Sequence, residues 1–234
     1  MNYSRQRSRG GGCSSIQFVL MRFCNSYVIY APTPTFALEE LQAYFKGKRI
    51  RCISGVKEII DYVAPVFGSK RSYTETKLLK FTREDCQLLH SSCDEWEEND
   101  IKELSKERIQ DIQNFYLQIK EFEEKFRGKM GIQKIREQFS NGKFIGVYRD
   151  SKLVFVFAFS SETEEFAMLD NIATLAEYRG QGIAYRAIRA ACAKEINQNK
   201  KELLCWPCEG RVAERVAKKI GFHEVCMYSF FYPD

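Results

Sequence analysis

The chain has 234 residues, 44% of them hydrophobic and 29% charged, and carries a formal net charge of +5. That content suffices for one sizeable core or two small ones, and no run approaches the ~18 apolar residues of a membrane span. The mild positive balance is spread along the chain, without an aromatic-interleaved basic patch or a zinc-finger spacing, which disfavours nucleic acid and suits a small anionic ligand. Nine cysteines, an odd number without a framework, fit a reducing cytoplasmic setting in which they act mostly as small apolar residues. Cys205-Trp206-Pro207-Cys208 lacks a second ligand pair for a metal, since the only histidines are His90 and His223, and it does not open a thioredoxin-like helix.

Residues 1 to about 20, with Arg5, Arg7, Arg9 and the glycines from Gly10, read as a disordered basic tail. No acidic residue precedes Glu39, so an organellar transit peptide stays open beside a plain extension. Residues 21–82 are expected to form a small α/β unit. Its strands are placed at Tyr27 to Tyr30, Arg49 to Ile53 and Leu78 to Phe81, and its helices at Phe36 to Phe45 and Val56 to Val66. Ser54-Gly55 reads as a capping turn, and Gly68 to Thr74 as a short polar connection.

Residues 83–234 read as a second unit. Gln87 to Ser91 is expected as a short strand, and Asp94 to Asp100 as a solvated acidic loop without the central glycine of a calcium loop. One long helix is expected from Ser105 to about Phe126, burying Ile112, Phe115, Tyr116 and Phe122, and another from Ile132 to Phe139. Lys143 to Tyr148 and Leu153 to Ser160 alternate as a hairpin about Arg149-Asp150-Ser151-Lys152. Strands 166–174 and 202–206, helices 180–197 and 212–219, and a last strand through Tyr232 complete the pattern.

The stretch from Asp170 to Ala184 organises that unit. A buried-type strand turns at Ala176-Glu177 and enters a helix whose apolar face is Ile183, Ala187, Ile188, Ala191, Cys192 and Ile196. Gly180 and Gly182 sit at the junction. Residues without a Cβ admit a ligand to the backbone, and the free N–H groups of a first helical turn bind anions. Arg179 adds a positive charge, so a phosphate or pyrophosphate cradle is expected. A P-loop would need Lys and Ser/Thr after Gly182, where Ile183 and Ala184 stand. A dinucleotide fingerprint would need a small residue where Tyr185 stands.

What remains is Arg-x-x-Gly-x-Ala on Arg179, Gly182 and Ala184, preceded by Ala-Thr-Leu-x-x-Tyr. It resembles the acetyl-coenzyme A (acetyl-CoA) pyrophosphate loop of the GCN5-related N-acetyltransferase (GNAT) family. The element order from residue 84 and the Gly221-Phe222 corner after Arg215 are similar to that family too. Residues 1 to 80 more weakly resemble the degenerate half-domain found ahead of some members. The resemblance implies an α/β fold with a mixed sheet, carrying a smaller N-terminal α/β unit packed on it. It places the acyl donor between strands 166–174 and 202–206, against the backbone of Ile172, Ala173 and Thr174. It places the pyrophosphate on Arg179, Gly180, Gln181, Gly182, Ile183 and Ala184. The implied reaction is direct transfer of an acetyl or other acyl group from acetyl-CoA to a primary amine, with no metal, in a monomer or homodimer.

The family's usual acid and base are displaced. Ala217 stands where members carry a tyrosine acid, Gly210 where an asparagine opens the closing helix, and Met168 where some carry a glutamate base. Asp170 is the nearest replacement base, or else an acceptor that orients the loop. Tyr185, Cys208, Glu209 and Tyr228 are the remaining candidates for acid or base. A catalytically idle acyl-CoA sensor therefore stays open beside the transferase.

Overall fold

The computed structural model describes residues 2–4, 17–23, 25–68, 71–89, 101–199, 201–206 and 212–233. The elements in chain order begin with β1 (Asn2–Ser4), β2 (Val19–Phe23), β3 (Ser26–Tyr30), α1 (Leu38–Phe45), β4 (Cys52–Val56), α2 (Lys57–Val63), β5 (Arg71–Phe81) and α3 (Arg83–Leu89). They continue with β6 (Ile101–Leu104), α4 (Ile109–Leu117), α5 (Lys120–Phe126), α6 (Gly128–Asn141), β7 (Lys143–Arg149) and β8 (Lys152–Glu162). The last are β9 (Phe166–Thr174), α7 (Ile183–Asn199), β10 (Glu202–Cys205), α8 (Val212–Ile220) and β11 (His223–Pro233). Contacts divide the chain into two compact units, Met1–Lys77 with Cys226–Asp234, and Leu78–Val225. The composition suggests a boundary at 82/83; by contacts it falls at 77/78, and the last residues join the first unit because β11 pairs with β4.

In the first unit β2 and β3 form an antiparallel hairpin, β3 and β4 run parallel through the α1 crossover, and Tyr228–Phe231 of β11 lie antiparallel to β4. Tyr27, Ile29, Leu41, Phe45, Ile60 and Phe231 make its core. Two sequence expectations change here. Within the tail, Asn2–Ser4 pair antiparallel with β2, and Leu20 of β2 and Phe18 just before it are buried; the rest of residues 1–16 lies outside the described residues. Ser54-Gly55 lies inside β4 and is no capping turn. A Cβ on Gly55 would meet the Ile29 carbonyl oxygen at 2.6 Å, so glycine is what lets β4 run hard against β3.

In the second unit β6, β7, β8 and β9 form an antiparallel ladder, β9 and β10 run parallel, and β10 is closed by the antiparallel end of β5, Leu79–Phe81. The hairpin turn of β7 and β8 holds Asp150 and Ser151 at φ 48° and 63°, the left-handed pair that matches strand twist. Central β8 is buried on both faces: Phe155, Phe157 and Phe159 pack towards α7, and Leu153, Val156 and Ala158 towards α4 and α6. The two halves of the sequence thus repeat one arrangement, hairpin, crossover helix, parallel strand and helix. Each unit is closed by a strand from the other half, β11 on β4 and the end of β5 on β10.

Further expectations change in this unit. The strand expected at Gln87 to Ser91 is, as far as residue 89, part of helix α3. Its start is a reciprocal cap: Thr82 N and Oγ1 donate to Asp85 Oδ2 at 2.7 and 2.8 Å, and Asp85 N donates to Thr82 Oγ1 at 3.4 Å. β5 begins at Arg71, so most of the described part of the expected polar connection is strand. The long helix expected at 105–126 breaks at Ile119, whose backbone is extended (φ −119°, ψ 110°). The break folds α5 back so that Phe126 stacks on Tyr116 with ring centroids 4.3 Å apart. The Asp94–Asp100 loop and Cys208 lie outside the described residues.

Candidate functional site

Parallel pairing of β9 with β10 ends at Leu169 and Cys205. β9 then runs on through Asp170–Thr174 with β8 along one edge only, which leaves its other edge without a strand among the described residues. The edge each residue presents can be read from the ladder. Leu175 N donates to Val154 O at 3.0 Å, so Leu175 faces β8. Alternation puts Ala173 on the same edge and turns the N–H and C=O of Ile172 and Thr174 the other way. The Thr174 carbonyl confirms this, because it accepts from Arg179 Nε at 3.0 Å.

A bulge fixes that alternation. Val156 pairs with Ala173 and Ala158 with Asp170, so Asn171 and Ile172 together oppose the single residue Phe157. Asn171 takes the left-handed conformation, φ 53°, which costs a residue with a Cβ about 1 kcal/mol. Its polar groups are all engaged. Asn171 N donates to Asp170 Oδ1 at 2.6 Å, and its carbonyl accepts from Tyr116 Oη at 2.6 Å. Its Oδ1 accepts from Lys125 Nζ at 2.5 Å, and its Nδ2 donates to Gln138 Oε1 at 2.7 Å. Burial, with a smaller contribution from the Asp170 charge, pushes the Tyr116 phenol well above the usual tyrosine range, so it serves as a donor.

After β9 the chain makes a 3-10 turn at Ala176–Tyr178 and reaches α7 through Gly180 and Gly182, at φ 79° and 75°. A Cβ on Gly180 would meet nothing within 4 Å, and one on Gly182 only the Arg186 guanidinium, from 3.5 Å. Left-handed backbone, not crowding within the protein, is what calls for glycine at both positions. Arg179 N still bonds Ala176 O and Arg186 N bonds Gly182 O, but the six N–H groups between, Gly180 to Tyr185, have no acceptor among the described residues. No acidic residue occupies the first turn of α7. Side chains brace the turn from outside, with Gln181 Nε2 on Glu177 O and Arg186 Nη2 on Gln181 O. A run of amides without acceptors at a helix N-terminus, beside Arg179 and Arg186, offers the kind of donors that hold an anion.

The residues expected from sequence fall into three groups. Asp170, Ile172, Ala173, Thr174 and Arg179 to Ala184 fall on one stretch, the end of β9 and the turn that follows it, with Ile172 and Thr174 on the free edge and Ala173 on the edge that faces β8. Asp170 is exposed, and its Oδ2 has no partner among the described residues. Tyr228 belongs instead to the first unit, where its hydroxyl lies 3.4 Å from Ser54 Oγ and burial raises its pKa. Tyr185 is half-buried under Arg189 and Lys219, and Glu209, Cys208 and Gly210 lie outside the described residues. Burial pushes the Cys205 thiol up to about 12 and Cys192 well above its ordinary value, as suits small apolar residues. Reasoning from sequence did not single out Asn171, Lys125 and Gln138, which the structure brings together at the β9 bulge; an asparagine within an apolar strand was the one available signal.

The corresponding turn of the first unit does not repeat the cradle. Pro32 and Pro34 have no N–H to offer, and Glu39 and Glu40 occupy the first turn of α1. A recess of about 1160 Å³ in that unit, bordered by Lys46, Arg49 and Arg51, lies at the C-terminal end of α1 and the starting ends of β3 and β4. Ligands of α/β units gather at the opposite ends of their strands.

No curated protein matches the chain. Among solved structures, a GCN5-related N-acetyltransferase from Kribbella flavida is similar at 15% identity and TM-score 0.62, over 98% of this chain and 90% of that one. A GNAT-family acetyltransferase from Colwellia psychrerythraea is similar at 14% identity and TM-score 0.61, over 94% and 82%. A tandem GNAT protein from the clavulanic acid biosynthesis pathway is similar at 9% identity and TM-score 0.61, over 95% and 80%. These identities bear on fold alone. The profile of the Acetyltransferase (GNAT) family matches residues 91–222, more than half of the sequence, and the chain therefore belongs to the GNAT family.

Proposed function

We propose that the protein is an N-acyltransferase that uses acetyl-CoA or a related acyl-CoA to modify a primary amine. The observation that carries this reading is the run of six N–H groups from Gly180 to Tyr185 that have no acceptor among the described residues, next to the free edge of β9. A pyrophosphate fits the amide run, with Arg179, Gly180, Gln181, Gly182, Ile183 and Ala184 as its contacts. The free edge at Ile172 and Thr174 suits the amide-rich pantetheine arm, and in this reading Ile172 N–H donates to a carbonyl oxygen there. Since the first unit's turn carries prolines and acids, one acyl-CoA binds per chain.

An acyl thioester brings an activated carbonyl, and an amine attacks its carbon as the C–S bond breaks. The protein must hold both groups, accept the ammonium proton and return one to the thiolate. In this reading Asp170 Oδ2 takes the amine proton, which its exposure supports. Tyr228, the sequence's candidate for the proton returned to the thiolate, belongs to the first unit and carries no step in this reading. The reading assigns the protein to the cytoplasm as a monomer or homodimer, with no metal, membrane or nucleic acid partner.

Ala217 in the tyrosine position favours a second reading, an idle acyl-CoA sensor. Calorimetry with acetyl-CoA and CoA, followed by thiol release across an amine panel, separates the two. Binding with turnover on any amine supports the transferase, and binding without turnover supports the sensor. An absence of binding at millimolar concentration sinks both.

A further inference from the structure

The proposal concerns how β9 is held, and it rests on the acyl-CoA reading above. Three successive helices each send one polar side chain to a single residue of β9. Tyr116 comes from α4, Lys125 from α5 and Gln138 from α6, and all three meet at Asn171. We infer that Tyr116, Lys125 and Gln138 are positioning residues for the acyl group, acting through Asn171 to lock the β9 bulge that aims the Ile172 N–H at the carbonyl.

The arrangement is poorly explained by stability alone. A glycine at 171 would adopt the left-handed backbone without strain, yet the position carries an asparagine whose every polar group is engaged. Tyr116 is fully buried and spends its hydroxyl proton on a main-chain carbonyl instead of leaving the core apolar. Gln138, having accepted from Asn171, keeps Nε2 buried with no acceptor among the described residues. What the cluster does secure is register. The bulge inserts one residue between the part of β9 paired with Ala158 and the part paired with Val156. Without it the ladder slips by one, and alternation exchanges the edges that Ile172 and Ala173 present. Asp170, one residue away, has its carboxylate orientation set by the same Asn171 N–H. The cluster therefore fixes the acyl-side donor and the candidate base together, and it lies apart from the N–H run that takes the pyrophosphate.

That separation makes the inference testable with CoA and [1-13C]acetyl-CoA on the full chain. Lys125→Met removes an exposed side chain and leaves the core intact, Tyr116→Phe removes a single hydroxyl, and Asn171→Gly keeps the left-handed backbone without the side-chain bonds. Each variant is expected to bind CoA within about twofold of wild type while losing its preference for acetyl-CoA by about tenfold. The bound 13C carbonyl resonance should move towards its free position, and Lys125→Arg should restore it. The inference is overturned if Lys125→Met and Asn171→Gly keep the wild-type resonance and preference. It is equally overturned if they weaken CoA and acetyl-CoA alike, the sign of a merely structural role. Failure of the wild type to bind CoA at all overturns the acyl-CoA reading itself, an outcome seen before any variant is compared.

Discussion

Replacing Gly182 with Val tests the cradle, provided backbone strain is separated from loss of the ligand site. Gly182 has φ 75°, and in the first unit Gly47 has φ 74° with nothing within 4 Å of an added Cβ. The two positions are therefore matched for strain and differ in what surrounds them. Forcing an L side chain into that region costs about 1–2 kcal/mol, and more for a β-branched one. Both variants should lower the melting temperature by about 2–8 °C, at roughly 2–4 °C per kcal/mol for a chain of this size. At Gly182 the side chain would also arise within the stretch whose six N–H groups have no acceptor among the described residues. Loss of one or two hydrogen bonds to a charged group, about 1.5–3 kcal/mol each, weakens CoA by about tenfold to a hundredfold or more. Thermal scans without ligand and calorimetry with CoA read the two effects independently. Gly47→Val should bind CoA as wild type does. Wild-type affinity in Gly182→Val, or equal weakening in both variants, would refute the placement of the pyrophosphate.

Two further predictions concern the scaffold. Thr82→Ala removes the hydroxyl's two bonds from the cap of α3, leaves the backbone N–H on Asp85, and should cost about 1 kcal/mol, read as a drop of a few degrees in melting temperature with CoA affinity unchanged. Lys143 is pulled down by burial, but its bond to Glu195 at 2.6 Å and the charges of Glu195, Glu162 and Glu103 more than offset this and raise its pKa. A raised folded pKa contributes stability that is complete below the unfolded lysine value of about 10.4 and is lost as pH rises through the folded value. Chemical denaturation between pH 9 and 12 should show that loss in wild type and a smaller one in Glu195→Gln.

The readability of each feature followed the distance over which its cause acts. The hairpin of β7 and β8, the strand Phe166–Thr174 and the glycine turn before α7 are set by alternation and by local φ requirements, so the sequence pattern carries them. α3 was equally local, because Thr82 and Asp85 spell its cap, but the sequence reading began a short strand at Gln87 instead. Other features depend on partners remote in the chain. Asn171 meets Tyr116, Lys125 and Gln138 across separations of 55, 46 and 33 residues, which no window of sequence spans. The polar start of β5 reads as a connection because strand pairing, rather than apolar content, holds it in place.

The exchanged closing strands yield the last prediction. A chain beginning at Thr82, the boundary that composition suggests, would retain β11 and lose β4. Tyr228–Phe231 would then have no partner strand, and Phe231, fully buried beside Phe67 at a centroid distance of 5.7 Å, would lose the core it fills. The same cut removes Leu79–Phe81 from the edge of β10 and takes Phe81 away from its stack on Phe222 at 5.2 Å. Deleting one buried phenylalanine side chain costs about 3–5 kcal/mol, a large share of the ~5–15 kcal/mol that holds a domain folded, and an unpaired apolar strand invites association. A chain spanning 78–225 follows the contact division instead, keeping Phe81 with Phe222 and leaving out the orphaned strand. The 82–234 protein should aggregate or sediment as a heterogeneous oligomer, while 78–225 should be the more soluble and should melt at the higher temperature. If 82–234 proved monomeric and at least as stable as 78–225, β11 would not need β4, and the division of the chain into these two units would have to be redrawn.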